Sequence, residues 1–144
     1  MKNMKKNFVL YVTAPFTHEI PEIRERRFRS ACRASALLMA AGVVVFSPLS
    51  HSMPIVQHGE LDEMDSDFWL TMDLPLLERS DELLVLALDD WERSKGVVAE
   101  MFFALKHHKP ITLIGESDIK RLPAIPRSAR KYLDSNILTE VYDD

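Results

Sequence analysis

"SKGVVAEMFFALKHHKPITLI", residues 94–114, decides how the chain is read. Ser94 is an N-cap residue, and the apolar run behind it has helical spacing to about His107. "KPITLIG" then reads as a buried strand. A helix that leads at once into a buried strand is half of a βαβ unit. One residue does not belong. Glu100 sits among Val97, Val98, Ala99, Met101, Phe102 and Phe103, with no basic residue before Lys106. Burying a lone carboxylate is costly, so its place in this helix asks for a reason.

Working outward, the same alternation repeats. "FVLYVTA" (residues 8–14) is a β-branched and aromatic strand ended by Pro15. From about Pro21 to Ala41, residues Ile23, Arg27, Ala31, Ala34, Leu38 and Ala41 recur at helical spacing, and Gly42 closes the helix. "VVVFS" (residues 43–47) reads as a second buried strand, stopped by Pro48. "PLSHSMPIVQHGELDEMD" (residues 48–65) reads as a long loop, and long ordered loops often carry function. "DSDFWLTMDLPLLERS" is a helix capped by Asp65 or Ser66, with Pro75 expected to kink or split it. "DELLVLALD" (residues 81–89) is a third strand and "DWERS" a turn. The tail "SARKYLDSNILTEVYDD" holds a short helix and a final strand. Strands alternating with helices imply parallel pairing and right-handed crossovers. The expectation is one domain over residues 1–144, a Rossmann-like or flavodoxin-like three-layer α/β sandwich. Its central parallel sheet has four to five strands.

Composition narrows the function. The net charge is −4, so no broad basic surface invites a nucleic acid polymer. Cys32 is the one cysteine, which leaves no intrachain disulfide and no cysteine-based metal cluster. No run approaches the about 20 apolar residues of a membrane span. "MKNMKKNFVLYVTAPF" reads as a first strand rather than a signal peptide. A cytoplasmic protein is expected. The four glycines, Gly42, Gly59, Gly96 and Gly115, form neither a dinucleotide fingerprint nor a Walker loop. There is no GxSxG elbow. His51 and His58 share an acidic loop but match no standard zinc spacing, and no metal or redox cofactor is expected.

In a doubly wound sheet, ligands bind outside the carboxyl ends of the strands. "LDDWERS" is such an end, and it leads into the helix that carries Glu100. Helical side chains lean toward the N-terminus, which aims the Glu100 carboxylate over Gly96. A glycine there leaves open space above the carboxylate. The Ser94 hydroxyl and the first free backbone N–H groups lie at the same end and suit an anion. The plainer alternative is an acid helped by the helix dipole, next to a capping serine. Asp73, in "WLTMDLPLL", is a second acid among apolar residues. It either divides catalytic roles with Glu100 or caps a new turn before Pro75.

These stretches together resemble the nucleoside 2-deoxyribosyltransferase-like superfamily. The resemblance rests on "LYVTAPF", on "MDL" before "SDELLVL", and on the S-x-G-x-x-x-E helix after an acid-ended strand. It spans roughly Phe8 to Ile114. It is strongest to a small bacterial and phage branch with a similar "SPLSHSMPI…HG" loop and "W…D" helix. The resemblance implies that Glu100 attacks the anomeric carbon of a (deoxy)riboside. It also implies that Tyr11 steadies Glu100 and that Asp73 helps protonate the departing base. Superfamily members acting on free nucleosides tend to have aspartate where this chain has Ser94. Those that hydrolyse nucleoside monophosphates tend to have serine there, on the 5′-phosphate. The first loop, "TAPFTHEIPEIRERR", lacks the glycines that phosphate loops of the superfamily often carry. Thr13, Thr17 and an arginine such as Arg24 or Arg27 are the candidates to replace them.

The expected activity is therefore that of an enzyme, a nucleoside monophosphate N-glycosidase with Glu100, Asp73 and Tyr11 as catalytic residues. Ser94, Gly96, Thr13, Ala14, Pro15, Phe16, His51 and Trp69 are expected to contact a small-molecule nucleotide or nucleoside. The loop from Ser47 to Gly59, with Trp69 and Phe16, would frame the base. Base exchange between (deoxy)nucleosides is the enzymatic alternative, and a non-catalytic nucleotide-binding protein is the alternative from another class. The resemblance also implies a homodimer or higher homo-oligomer, with Phe68, Trp69 and Met72 as a candidate contact surface.

Overall fold

The computed structural model describes residues 7–123 and 131–133. Strand β1 (Val9–Thr13) leads to helix α1 (Pro21–Ala40) and strand β2 (Val44–Phe46). Helices α2 (Pro48–His58) and α3 (Ser66–Glu78) follow, then strand β3 (Glu82–Ala87), helix α4 (Lys95–Lys106) and strand β4 (Ile111–Gly115). A short strand β5 (Lys131–Leu133) completes a sheet of order β2-β1-β3-β4-β5. The first four strands are parallel, as the βαβ reading requires. β5 adds to the edge in the antiparallel sense, pairing Thr112 with Tyr132. The remainder of the C-terminal tail, where a short helix was expected, lies outside the described residues.

β1 and β3 are apolar at successive positions because both of their faces are covered. Leu10, Val12, Leu84 and Leu86 pack against Ala31, Ala34 and Leu38 of α1. Tyr11, Leu83 and Val85 face the other way, onto Leu77 of α3 and Val97, Met101 and Ala104 of α4. This is the three-layer sandwich the alternation predicts. α1 ends as Gly42 does in sequence: its φ is +88°, and a Schellman pair of bonds runs from Gly42 N–H to Met39 O and from Val43 N–H to Leu38 O.

Three expectations change. β2 is not buried; it is a three-residue edge strand with Val44 57% exposed, and a short edge is a common way to limit pairing with other chains. Residues 48–58, read as loop, are helix α2. Pro48 occupies the first helical turn and Ser47 caps it, accepting from Ser50 N–H, so the proline marks a helix start rather than a break. α3 runs through Pro75 as one element. Its last carbonyls are satisfied by side chains: Arg79 donates to Pro75 O at 2.8 Å and Ser80 to Leu76 O at 2.9 Å. "DWERS" contains one turn of 3-10 helix, Trp91–Arg93.

The strand order reverses at β1, since β2 is added on one side of it and β3 on the other. That is the switch point at which a crevice opens above the strand ends. Two loops border it. Arg27, buried on α1, ties them together by donating to Thr17 O at 3.2 Å and to Asp89 O at 3.0 Å. No helix among the described residues is long and apolar enough to cross a membrane.

Candidate active site

A cleft of about 690 Å³, open to solvent, lies above the ends of β1 and β3. Four elements wall it: the end of β1 with its loop, α2, α3 and the first turns of α4. Of the residues singled out in sequence, Thr13, Ala14, Phe16, Trp69, Asp73, Ser94, Gly96 and Glu100 all line it. Thr17 lines it as well.

Glu100 forms the floor. It is 4% exposed, and the Thr13 hydroxyl donates to its Oε1 at 2.8 Å. Oε2 is buried with no hydrogen-bond partner among the described residues. Tyr11 stands beneath, fully buried, on the same face of β1 as Thr13 because strand side chains alternate. Its hydroxyl and Glu100 influence each other's titration, but no hydrogen bond of regular geometry joins them. Burial pushes the Glu100 carboxyl up to about 7, the Tyr11 and Thr13 groups pull it down, and the neighbouring Asp73 charge pushes it up again. Asp73, half-buried on α3, is raised to about 6 by burial. The Tyr11 phenol is held well above its ordinary value, first by burial and then by the charges of Glu100 and Asp73. Two carboxyls with raised values facing one cleft are the usual equipment for acid–base and nucleophilic work near neutral pH.

Ser94 caps α4 as its sequence position predicts: its Oγ accepts from Val97 N–H at 3.3 Å. The hydroxyl hydrogen is thereby left to donate. Gly96 has nothing within 4 Å of where a Cβ would stand, so the space above Glu100 is real. Gly96→Ala tests what that space is for. In a helix the exchange favours folding by up to about 1 kcal/mol. The methyl group would enter the cleft, so the expected outcome is a melting temperature equal to or above that of the parent with clearly weaker ligand binding. A variant that binds as well as the parent would mean that this part of the cleft is idle.

Several expected contacts fall elsewhere. His51 does not line the cleft. It sits exposed on α2 with its ring against Phe46, centroids 5.4 Å apart, and Phe46 in turn packs on Tyr11. Pro15 is buried in the loop after β1 and is not part of the wall. Trp69 lines the cleft, with Phe68 edge-on to it at 4.9 Å and Met72 exposed. Its indole N–H donates to Asp62 O at 2.8 Å, which fixes the ring and leaves its face to the cleft. Arg24 and Arg27 are both engaged: Arg24 with the His18 carbonyl and Glu63, Arg27 with loop carbonyls.

From the segment that forms α2, sequence reading assigned His51 alone to the site, and it named none of the residues that line the cleft there. Leu49, Ser52, Met53 and Val56 line the cleft from this helix. Their three- and four-residue spacing is the signal that would have found them, masked by two prolines. Glu63 and Ser66, at the rim, carry no such signal. Among the described residues, no group of three or more His, Cys, Asp or Glu side chains is placed to hold a metal ion.

Comparisons with other proteins agree with this architecture. The family model described as a domain of unknown function, DUF1937, matches residues 8–116. No curated protein matches the sequence. Among solved structures, a 2-deoxyribosyltransferase from the psychrotolerant bacterium Bacillus psychrosaccharolyticus aligns with a TM-score of 0.52 at 22% identity. The alignment covers 74% of this chain and 72% of that one. The likeness is one of fold, and it meets the superfamily resemblance drawn from the sequence.

Proposed function

The chain belongs to the DUF1937 family, and we propose that it cleaves the N-glycosidic bond of a (deoxy)nucleoside 5′-monophosphate, releasing free base and sugar 5-phosphate. One observation carries the reading: a buried carboxylate with an unpartnered oxygen, Glu100 Oε2, at the floor of a cleft that Asp73 also faces. Oε2 forms a bond to C1′ as the C1′–N bond breaks, and the bonding pair leaves with the base. Asp73 supplies the proton the base takes up. Water then attacks C1′, giving a proton to the Asp73 carboxylate while the ester bond to Oε2 breaks. The transition states have oxocarbenium character, which a facing carboxylate stabilises. Trp69 and Phe16 offer faces for the base, and the apolar side of α2 closes that end.

The phosphate reading draws on a second cavity of about 450 Å³, which shares Thr17 and Ser94 with the cleft. His18, Arg27 and Arg93 line it against a single acid, Asp90. Arg93, not singled out in sequence, bonds no loop carbonyl among the described residues. An anion at this point would meet the Ser94 hydroxyl and the N-terminus of α4. The fold neighbour favours a second reading, transfer of the sugar to another base in place of water.

The test is a panel of ribo- and deoxyribonucleoside monophosphates and the matching nucleosides, with released base followed by chromatography. Base released from monophosphates alone supports hydrolysis of nucleotides. Release from nucleosides only when a second base is present supports transfer. Thermal stabilisation by a nucleotide without release leaves a binding protein and ends the enzymatic reading.

A further inference from the structure

We propose that Thr13 is a positioning residue: its hydroxyl clamps Oε1 of Glu100 and leaves Oε2 as the oxygen that attacks. The proposal rests on the reading of Glu100 as nucleophile and extends it.

The geometry is built for this. Thr13 is the last residue of β1 and pairs with Val85 of β3, so its backbone is fixed in the centre of the sheet at the switch point. Its side chain is 3% exposed, and a β-branched side chain has few rotamers to choose from. The bond to Oε1 is 2.8 Å long and buried. A buried carboxylate oxygen with a short hydroxyl donor is poorly suited to attack, because attack would break that bond. The unpartnered Oε2 loses nothing by attacking. The clamp also restricts rotation of the carboxylate about its last torsion, which is otherwise broad.

A hydroxyl that donates to the charged form opposes the burial that favours the neutral one. The groups that act on Glu100 are Tyr11 from β1, Asp73 from α3 and Thr13 itself. α2 brings no charged residue to the cleft wall. At the rim Glu63 pairs with Arg24, and at the mouth Lys95 of α4 pairs with Asp67 of α3. Thr13 and Tyr11 are thus the two groups that lower the proton affinity of Glu100, and Thr13 does so through a bond of regular geometry.

The test compares Thr13→Val, which keeps the shape and removes the hydroxyl, with Thr13→Ser, which keeps the hydroxyl. If Thr13 positions Glu100, Thr13→Val lowers kcat about 10- to 100-fold at pH 7 with KM little changed. The alkaline limb of its pH–rate profile, set by the carboxyl that holds its proton more tightly, moves up by about one unit or more. Thr13→Ser recovers most of kcat and returns the limb toward the parent. A readout that needs no turnover runs alongside: the carbon-13 signal of the Glu100 carboxyl, assigned by its loss in Glu100→Gln, is titrated in each variant. A higher midpoint in Thr13→Val supports the clamp even if the parent protein hydrolyses nothing, in which case only the proposed function fails. An unmoved midpoint, or a raised KM with an unmoved alkaline limb, overturns the proposal and makes Thr13 a substrate contact.

Discussion

Glu100→Gln is expected to lower kcat by on the order of 10³-fold or more, and Asp73→Asn by on the order of 10²-fold, with both proteins folded. The difference follows from their roles. A carboxamide is a far weaker nucleophile than a carboxylate and carries no charge to face the developing oxocarbenium ion. Asp73 only speeds proton transfer to and from a base, and solvent can substitute for part of that. The pH profile makes the assignment sharper. In the proposed reaction the active form has Glu100 ionised and Asp73 protonated. Burial raises Glu100 to about 7 and Asp73 to about 6, and the two charges act on each other. They therefore titrate as a pair. Activity should rise as the pair loses its first proton near pH 6 and fall as it loses the second near pH 7, a narrow bell. Within the singly protonated pair most molecules hold the proton on Glu100, so the active arrangement is the minor one, roughly a tenth of the total for values one unit apart. Asp73→Asn leaves Glu100 to titrate alone, so the acid limb should move up toward the Glu100 value and the alkaline limb vanish. A profile unchanged by Asp73→Asn would remove Asp73 from the chemistry.

Much of this site was legible because its signals are local. Glu100 stood out as a charge in an apolar helix, and a helix register of four placed it over Gly96. Ser94 as cap followed from residue type alone, and Asp73 from its apolar neighbours. The strands β1 and β3 were legible because covering both faces leaves an unbroken apolar run. What was missed has a different cause. α2 begins with proline and contains another, and single-residue propensity cannot tell a proline in the first turn from one that breaks a helix. Whether β2 lies at an edge depends on which strands flank it, a fact of topology absent from its own three residues. His51 was placed by its segment, yet the helical turn points it at Phe46. Arg93 was invisible because a basic residue in a turn reads as solvated until a cavity is found beside it.

The protein should grow less stable between pH 5 and pH 8, and Glu100→Gln should abolish most of that loss. The sign follows from proton binding. An unfolded chain holds Glu100 near its ordinary value of 4.5, whereas the folded chain raises it to about 7. The folded state binds the proton more tightly, so the stability it contributes is fully present below pH 4.5 and is lost as pH rises through 7. At 1.36 kcal/mol per unit, the ionised carboxylate destabilises the fold by up to about 3 kcal/mol at pH 8. Asp73 acts in the same direction, but its partial exposure lets solvent screen the effect. Glutamine has no charge to bury, so the variant should equal the parent near pH 5 and exceed it at pH 8. The gain corresponds to a rise in melting temperature of roughly 10 °C. The amide introduces two buried N–H donors, and the Tyr11 hydroxyl, unpartnered among the described residues, is the neighbouring group able to accept one of them on a small adjustment. Melting curves of both proteins across this pH range decide the matter. If Glu100→Gln is no more stable than the parent at pH 8, the carboxylate is not held in a site that resists its charge. The bell centred between the two carboxyl values would then lose its physical basis as well. If the gain appears together with the loss of turnover, one side chain accounts for both. A fold that tolerates an ill-favoured charge at the floor of its cleft would then give up stability at the position where the proposed chemistry requires that charge.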